Sequence, residues 1–188
     1  MRCDGAWKRQ GTNPVIPQTL GVFLWMMVAA ASPSERIRIW LDLPFVSQAK
    51  NGCGVACVTM VLGYWAGQRG SPTPDGSGVS AVLPITGGGT GTLASQMKQY
   101  FENLGFRTYV FAAELEDLNH HLARGRPLIV CLENDALHYV VVAGIDPGND
   151  TVLVNDPARR KLTQIDRPSF EKSWNKCKNW TLLALPPE

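Results

Sequence analysis

From residue 127 onward the chain is a train of short apolar runs separated by turns. No other feature limits its fold as much. Runs at 127–132, 137–145, 151–155 and 161–165 each read as a strand, and another covers 181–185 after a short helix at 167–174. The connections are rich in turn formers, as in Asp146-Pro147-Gly148-Asn149-Asp150. Strands joined by such short links pair antiparallel. Helical patterns dominate the first half. Val55, Met60, Val61, Leu62 and Tyr64 predict a mostly buried helix from Cys53 to about Gly67. Thr92 is placed to cap a second helix, with Leu93, Met97, Tyr100, Phe101 and Leu104 on one face and Gly105 as its stop. Leu115, Leu118 and Leu122 predict a third, over 114–124, stopped by Gly125. Strands are expected at 41–46 and 106–111, and a long loop at 68–91. Helices first and an antiparallel sheet second is an α+β order.

The chain has 188 residues, 45% of them hydrophobic, which suits one compact core. A formal charge of +2, with scattered basic residues, gives no footprint for nucleic acid. The N-terminal segment differs from the rest. Arg2, Lys8 and Arg9 form a basic start, residues 20–31 are apolar apart from Gly21, and Ala29-Ala30-Ala31-Ser32-Pro33 supplies small residues. This is the three-part pattern of a secretory signal peptide, and the run is short for a membrane span. Residues 1–33 are therefore expected to be a signal peptide or N-terminal anchor, and 34–188 an exported domain, periplasmic or secreted.

Cys53 is the residue with the most chemistry around it. It lies between Gly52 and Gly54 at the predicted start of a helix. There the helix dipole and unpaired N–H groups favour a thiolate over the ordinary thiol, which titrates near pH ~8.5. The flanking glycines are expected to leave room for a substrate backbone beside the sulfur. Gln48 precedes Cys53 by five positions, and its amide is a candidate donor to a developing oxyanion, together with the Cys53 N–H. His138 opens the valine-rich strand His138-Tyr139-Val140-Val141-Val142-Ala143-Gly144 and is a candidate base. Asp156 ends the next strand. If these two strands pair as a hairpin turning near Gly148, Asp156 returns to His138 and can orient its ring; Asn155 is a weaker rival for that part.

Other motifs carry less. His120 and His121 lie on the third helix and read as a solvated face. Gly87-Gly88-Gly89-Thr90-Gly91-Thr92 lacks the lysine of a phosphate-binding loop and reads as a loop beside a cleft. Cys53 and Cys57 are spaced too widely for a short zinc knuckle, and no second ligand pair follows. No metal or other cofactor is expected. Of the remaining cysteines, Cys131 reads as a small buried hydrophobe and Cys177 as the most exposed. With Cys53 kept as a free thiol, at most one disulfide can form among Cys57, Cys131 and Cys177. A Cys53–Cys57 pair, one helical turn apart, is conceivable and would block the nucleophile.

Taken together, Leu43-Pro44-Phe45-Val46-Ser47-Gln48, Gly52-Cys53-Gly54-Val55-Ala56-Cys57, the His138–Gly144 strand and Asn155-Asp156-Pro157 resemble the bacteriocin-processing, double-glycine leader peptidase family. Gly91-Thr92-Leu93-Ala94-Ser95-Gln96-Met97 and Gly125-Arg126-Pro127-Leu128-Ile129-Val130 resemble it too, and the likeness runs from about residue 41 to 187. The resemblance implies a papain-like fold, with N-terminal helices packed on a mainly antiparallel sheet. It implies a cysteine peptidase with Cys53 as nucleophile, His138 as base, Asp156 as orienting acid and Gln48 as oxyanion donor. It is closest to the stand-alone, exported branch, acting on a peptide or protein substrate. Two alternatives use the same fold. One is an amidase or transpeptidase that passes the acyl group to an amine or thiol, the other a non-catalytic peptide-binding module.

Overall fold

The computed structural model describes residues 38–72, 76–83 and 91–188, all within a single compact unit. The signal or anchor expected at 1–33, and most of the glycine-rich run, lie outside the described residues. Seven antiparallel strands form one sheet: β1 (Ile39–Trp40), β2 (Arg107–Ala112), β3 (Leu128–Glu133), β4 (Leu137–Asp146), β5 (Thr151–Asn155), β6 (Thr163–Asp166) and β7 (Trp180–Leu185). Their spatial order is β2-β7-β3-β4-β5-β6, with β1 beside β4. The helices are α1 (Cys53–Gln68), α2 (Gly76–Val82), α3 (Ala94–Asn103), α4 (Leu115–Leu122) and α5 (Arg167–Lys176).

The centre of the sheet is buried on both faces, which explains why β3 and β4 read as nearly continuous apolar runs instead of alternating ones. Ile129, Val141, Ala143, Leu182 and Ala184 pack with α1 and α3, through Val58, Val61, Met97 and Phe101. Leu128, Val130, Val140, Val142 and Leu183 take the opposite face, against Leu118 and Leu122 of α4 and Phe170 and Trp174 of α5. α1 is buried nearly all round from Cys53 to Tyr64, as its even hydrophobicity predicts.

Three local expectations change. Residues 41–46 are not a strand; pairing with β4 is made one step earlier, at Ile39↔Ile145 and Trp40↔Gly144. Gly144 permits it, because a Cβ there would lie 2.4 Å from the Ile39 carbonyl oxygen. Thr92 does not cap α3. The cap position is Leu93, whose N–H donates to Gln96 Oε1 at 2.8 Å, while Thr92 is buried with its hydroxyl unbonded. The stretch 68–91 is not all loop, since α2 forms inside it and buries Val79.

Candidate active site

Four chain segments meet at one end of the sheet. α1 presents Cys53 in its first turn. Its N-cap is Gly52, whose N–H donates to the Ala49 carbonyl at 2.9 Å, and no side chain caps the helix. Cys53 keeps 9% of its surface, enough to meet a cleft that it lines with Gln48, Asn51, Gly91, His138 and Asp156. The cleft holds about 590 Å³, and α5 closes another wall with Phe170 and Ser173.

β4 and β5 pair as the expected hairpin, with Val141 opposite Asn155. A register shift between Val142 and Gly144 is absorbed before the site is reached. Asp156, the residue after β5, therefore comes beside the first half of β4, two residues along from His138. His138 Nε2 donates to Asp156 Oδ1 at 2.7 Å. Oδ1 also accepts the Ala158 N–H at 2.9 Å, and Arg159 Nε lies 3.5 Å from Oδ2. Asn155 does a different job: fully buried, it accepts the Leu162 N–H at 2.9 Å and holds the following turn. Gln48 reaches the cleft from its own loop, anchored by its backbone N–H on the Pro157 carbonyl at 2.9 Å.

With Nε2 committed to Asp156, Nδ1 is the ring atom left for Cys53, and the imidazole and thiol lie close enough to shift each other's titration. Burial opposes charge on both groups. For Cys53 it is outweighed by the hydrogen bond with His138 and by the backbone N–H groups of Tyr139 and Gly54, so the thiol titrates below its ordinary value. For His138, burial favours the neutral ring, but the hydrogen bonds to Asp156 and Cys53 push its pKa up to about 9. Burial raises the Asp156 pKa, yet His138 brings it below the usual carboxylate range. All three directions favour a thiolate, an imidazolium and a carboxylate in series.

The glycines around the sulfur serve packing more than access. A Cβ on Gly54 would lie 2.7 Å from Thr92 Cβ and 3.1 Å from Met97 Sδ, so this glycine lets α1 close on the approach to α3. A Cβ on Gly52 would lie 3.2 Å from the Ala49 carbonyl oxygen. Cys57 is fully buried in the α1–sheet core. His120 is exposed as expected, whereas His121 is half-buried, against Phe111, and lines a separate groove. Among the described residues, no group of three His, Cys, Asp or Glu side chains could hold a metal.

Residues 40–181 match the model of the peptidase C39-like family. The chain belongs to that family, which makes it a cysteine peptidase. No curated protein matches it in sequence. Among solved structures it is similar to a double-glycine-motif protease from an AMS/PCAT transporter, in complex with the leader peptide, at 22% identity and a TM-score of 0.62 over 81% of this chain and 100% of that one. A C39-like peptidase from Bacillus anthracis aligns at 17% identity and a TM-score of 0.63, over 81% of this chain and 99% of that one. The peptidase domain of Streptococcus ComA, a bifunctional ABC transporter in quorum sensing, aligns at 21% identity and 0.60, over 77% and 98%. These likenesses show the papain-like α+β fold read from the sequence.

Proposed function

We propose that the protein hydrolyses peptide bonds with Cys53 as nucleophile, His138 as proton carrier and Asp156 as orienting acid. The observation that carries this reading is the His138–Asp156 bond of 2.7 Å, with Cys53 lining the same cleft as both residues. The Cys53 thiolate attacks the scissile carbonyl. The Cys53 N–H and the Gln48 amide receive the oxyanion, where such donors are worth roughly 10²–10³ in rate. The His138 imidazolium gives its proton to the leaving amine, and water then cleaves the thioester with the neutral ring as base.

The substrate class is a peptide, in line with the leader peptide bound by the transporter protease. The site of action is outside the cytoplasm, a reading supported by the basic, apolar and small-residue order of positions 1–33. Alkylation across a pH series tests the chemistry. An E-64-type or iodoacetamide probe should label Cys53 selectively well below pH ~8.5. Cys53→Ala should abolish hydrolysis while leaving the fold intact. Equal labelling of all thiols, or full activity in that variant, would overturn the mechanism. Cell fractionation with N-terminal sequencing tests the location.

A further inference from the structure

Two thiols outside the proposed machinery lie almost within bonding distance. Cys131 Sγ and Cys177 Sγ are 3.0 Å apart, although 46 positions separate them in the chain. A disulfide bond is ~2.05 Å long, so the gap to be closed is about 1 Å.

Both backbones are already fixed. Cys131 sits in β3 opposite Tyr139 of β4, and the residue before it pairs with Thr181 of β7. Cys177 ends α5, donating its N–H to the Trp174 carbonyl at 2.9 Å and accepting the Trp180 N–H at 3.1 Å. The next two residues, Lys178 and Asn179, hold φ of 54° and 53°, a left-handed pair uncommon for such side chains. Hydrogen bonds impose it: the Asn179 N–H donates to Trp174, and its side chain and carbonyl both bond the Ala113 backbone. The turn thus delivers Cys177 to Cys131 without freedom to drift.

We propose that Cys131 and Cys177 form a disulfide by exchange with a small-molecule or protein disulfide, while Cys53 and Cys57 stay reduced. Cys177 is half-buried and Cys131 buried, so Cys177 is the point of entry. Its thiolate attacks R–S–S–R, forming a mixed disulfide and releasing RS⁻. The Cys131 thiolate then attacks the Cys177 sulfur and expels the second RS⁻. The two protons lost by the protein thiols complete two RSH. The protein pair is oxidised by two electrons and R–S–S–R is reduced by two.

The bridge has one consequence for the cleft. It braces the end of α5, which walls the cleft through Phe170 and Ser173, against the strand that carries Leu132 opposite His138. This bracing does not depend on the catalytic roles proposed above.

Peptide mapping of the full chain tests this. The protein is equilibrated with oxidised glutathione, alkylated without reduction, digested and analysed by mass spectrometry. The expected result is a cross-linked peptide pair containing Cys131 and Cys177, with Cys53 and Cys57 alkylated. Recovery of Cys131 and Cys177 as alkylated thiols, or of Cys131 joined to Cys53, would overturn the proposal. Dithiothreitol should lower the melting temperature of the bridged protein by roughly 10 °C, the scale expected for a loop this long in a domain this size. That drop should vanish in Cys177→Ser. A bridge whose reduction leaves the melting temperature unchanged would overturn the bracing role. The wild-type map decides the bond itself even if the variant folds poorly.

Discussion

Gln48 and Pro157 are joined by a backbone hydrogen bond of 2.9 Å, from the Gln48 N–H to the Pro157 carbonyl. The loop ahead of α1 is thereby tied to the turn that carries Asp156. The proposed oxyanion donor and the proposed orienting acid share one anchor, although more than a hundred residues separate them. This bond uses the main chain, so changing the Gln48 side chain leaves it in place. Gln48→Ala is expected to lower kcat by roughly 10²–10³ with little change in KM, the signature of a group that acts on the transition state. Steady-state kinetics on a fluorogenic peptide, with a melting curve to confirm the fold, check this. An unchanged kcat would remove Gln48 from the mechanism.

The coupled titrations of Cys53 and His138 set a pH window. The reactive pair needs the thiol deprotonated and the ring protonated. The first condition holds above the lowered Cys53 pKa, and the second below about 9. The profile of kcat/KM should therefore be bell-shaped, with its alkaline limb near pH 9. Asp156→Asn keeps the shape but removes the negative charge that raises the His138 pKa. Its alkaline limb should move toward the ordinary imidazole value near ~6.5, with a rate loss of about 100-fold or more. An alkaline limb unmoved by this change would mean that Asp156 does not set the imidazolium.

Folding stability follows the same groups with opposite signs. The raised His138 pKa contributes stability that is complete below the unfolded value near ~6.5 and is lost as pH rises through about 9. The depressed Asp156 pKa contributes stability above its unfolded value near ~3.9, lost as pH falls through the lower folded one. Urea midpoints across pH should decline at both ends, and His138→Ala should flatten the alkaline decline. A wild-type alkaline decline retained in that variant would place its cause elsewhere.

Much of this was legible in the sequence because its signals were local or periodic. The β4–β5 hairpin followed from two apolar runs around Asp146–Asp150, and that hairpin alone brings Asp156 to His138. The α1 start followed from the apolar pattern after Gly52. What sequence did not show depends on contacts between distant segments. Thr92 has the chemistry of a cap, but α1 packs onto it, and Gln96 caps the helix instead. The pairing of Ile39 with Ile145 depends on the missing side chain of Gly144. Cys131 and Cys177 read as a buried hydrophobe and an exposed thiol because nothing local reveals that the turn after α5 returns to β3.

Gly54 separates packing from access. If its role were to admit a substrate backbone, Gly54→Ala would raise KM and leave stability nearly unchanged. The structure gives the added methyl a different neighbour: Thr92 Cβ at 2.7 Å, with Met97 Sδ at 3.1 Å behind it. Met97 is flexible and can yield, but Thr92 is buried and β-branched, so α1 and the lead into α3 must move apart. Overpacking of this kind costs about 1–3 kcal/mol. Gly54→Ala is therefore expected to lose stability of that size in urea unfolding. Any loss of activity should come from displacement of the first turn of α1, which also carries Cys53. Thr92→Gly removes the Cβ and hydroxyl in the way, so the double variant Gly54→Ala/Thr92→Gly should lose less stability than the sum of the two single variants. Additive losses in the double variant would show that Gly54 does not act through Thr92.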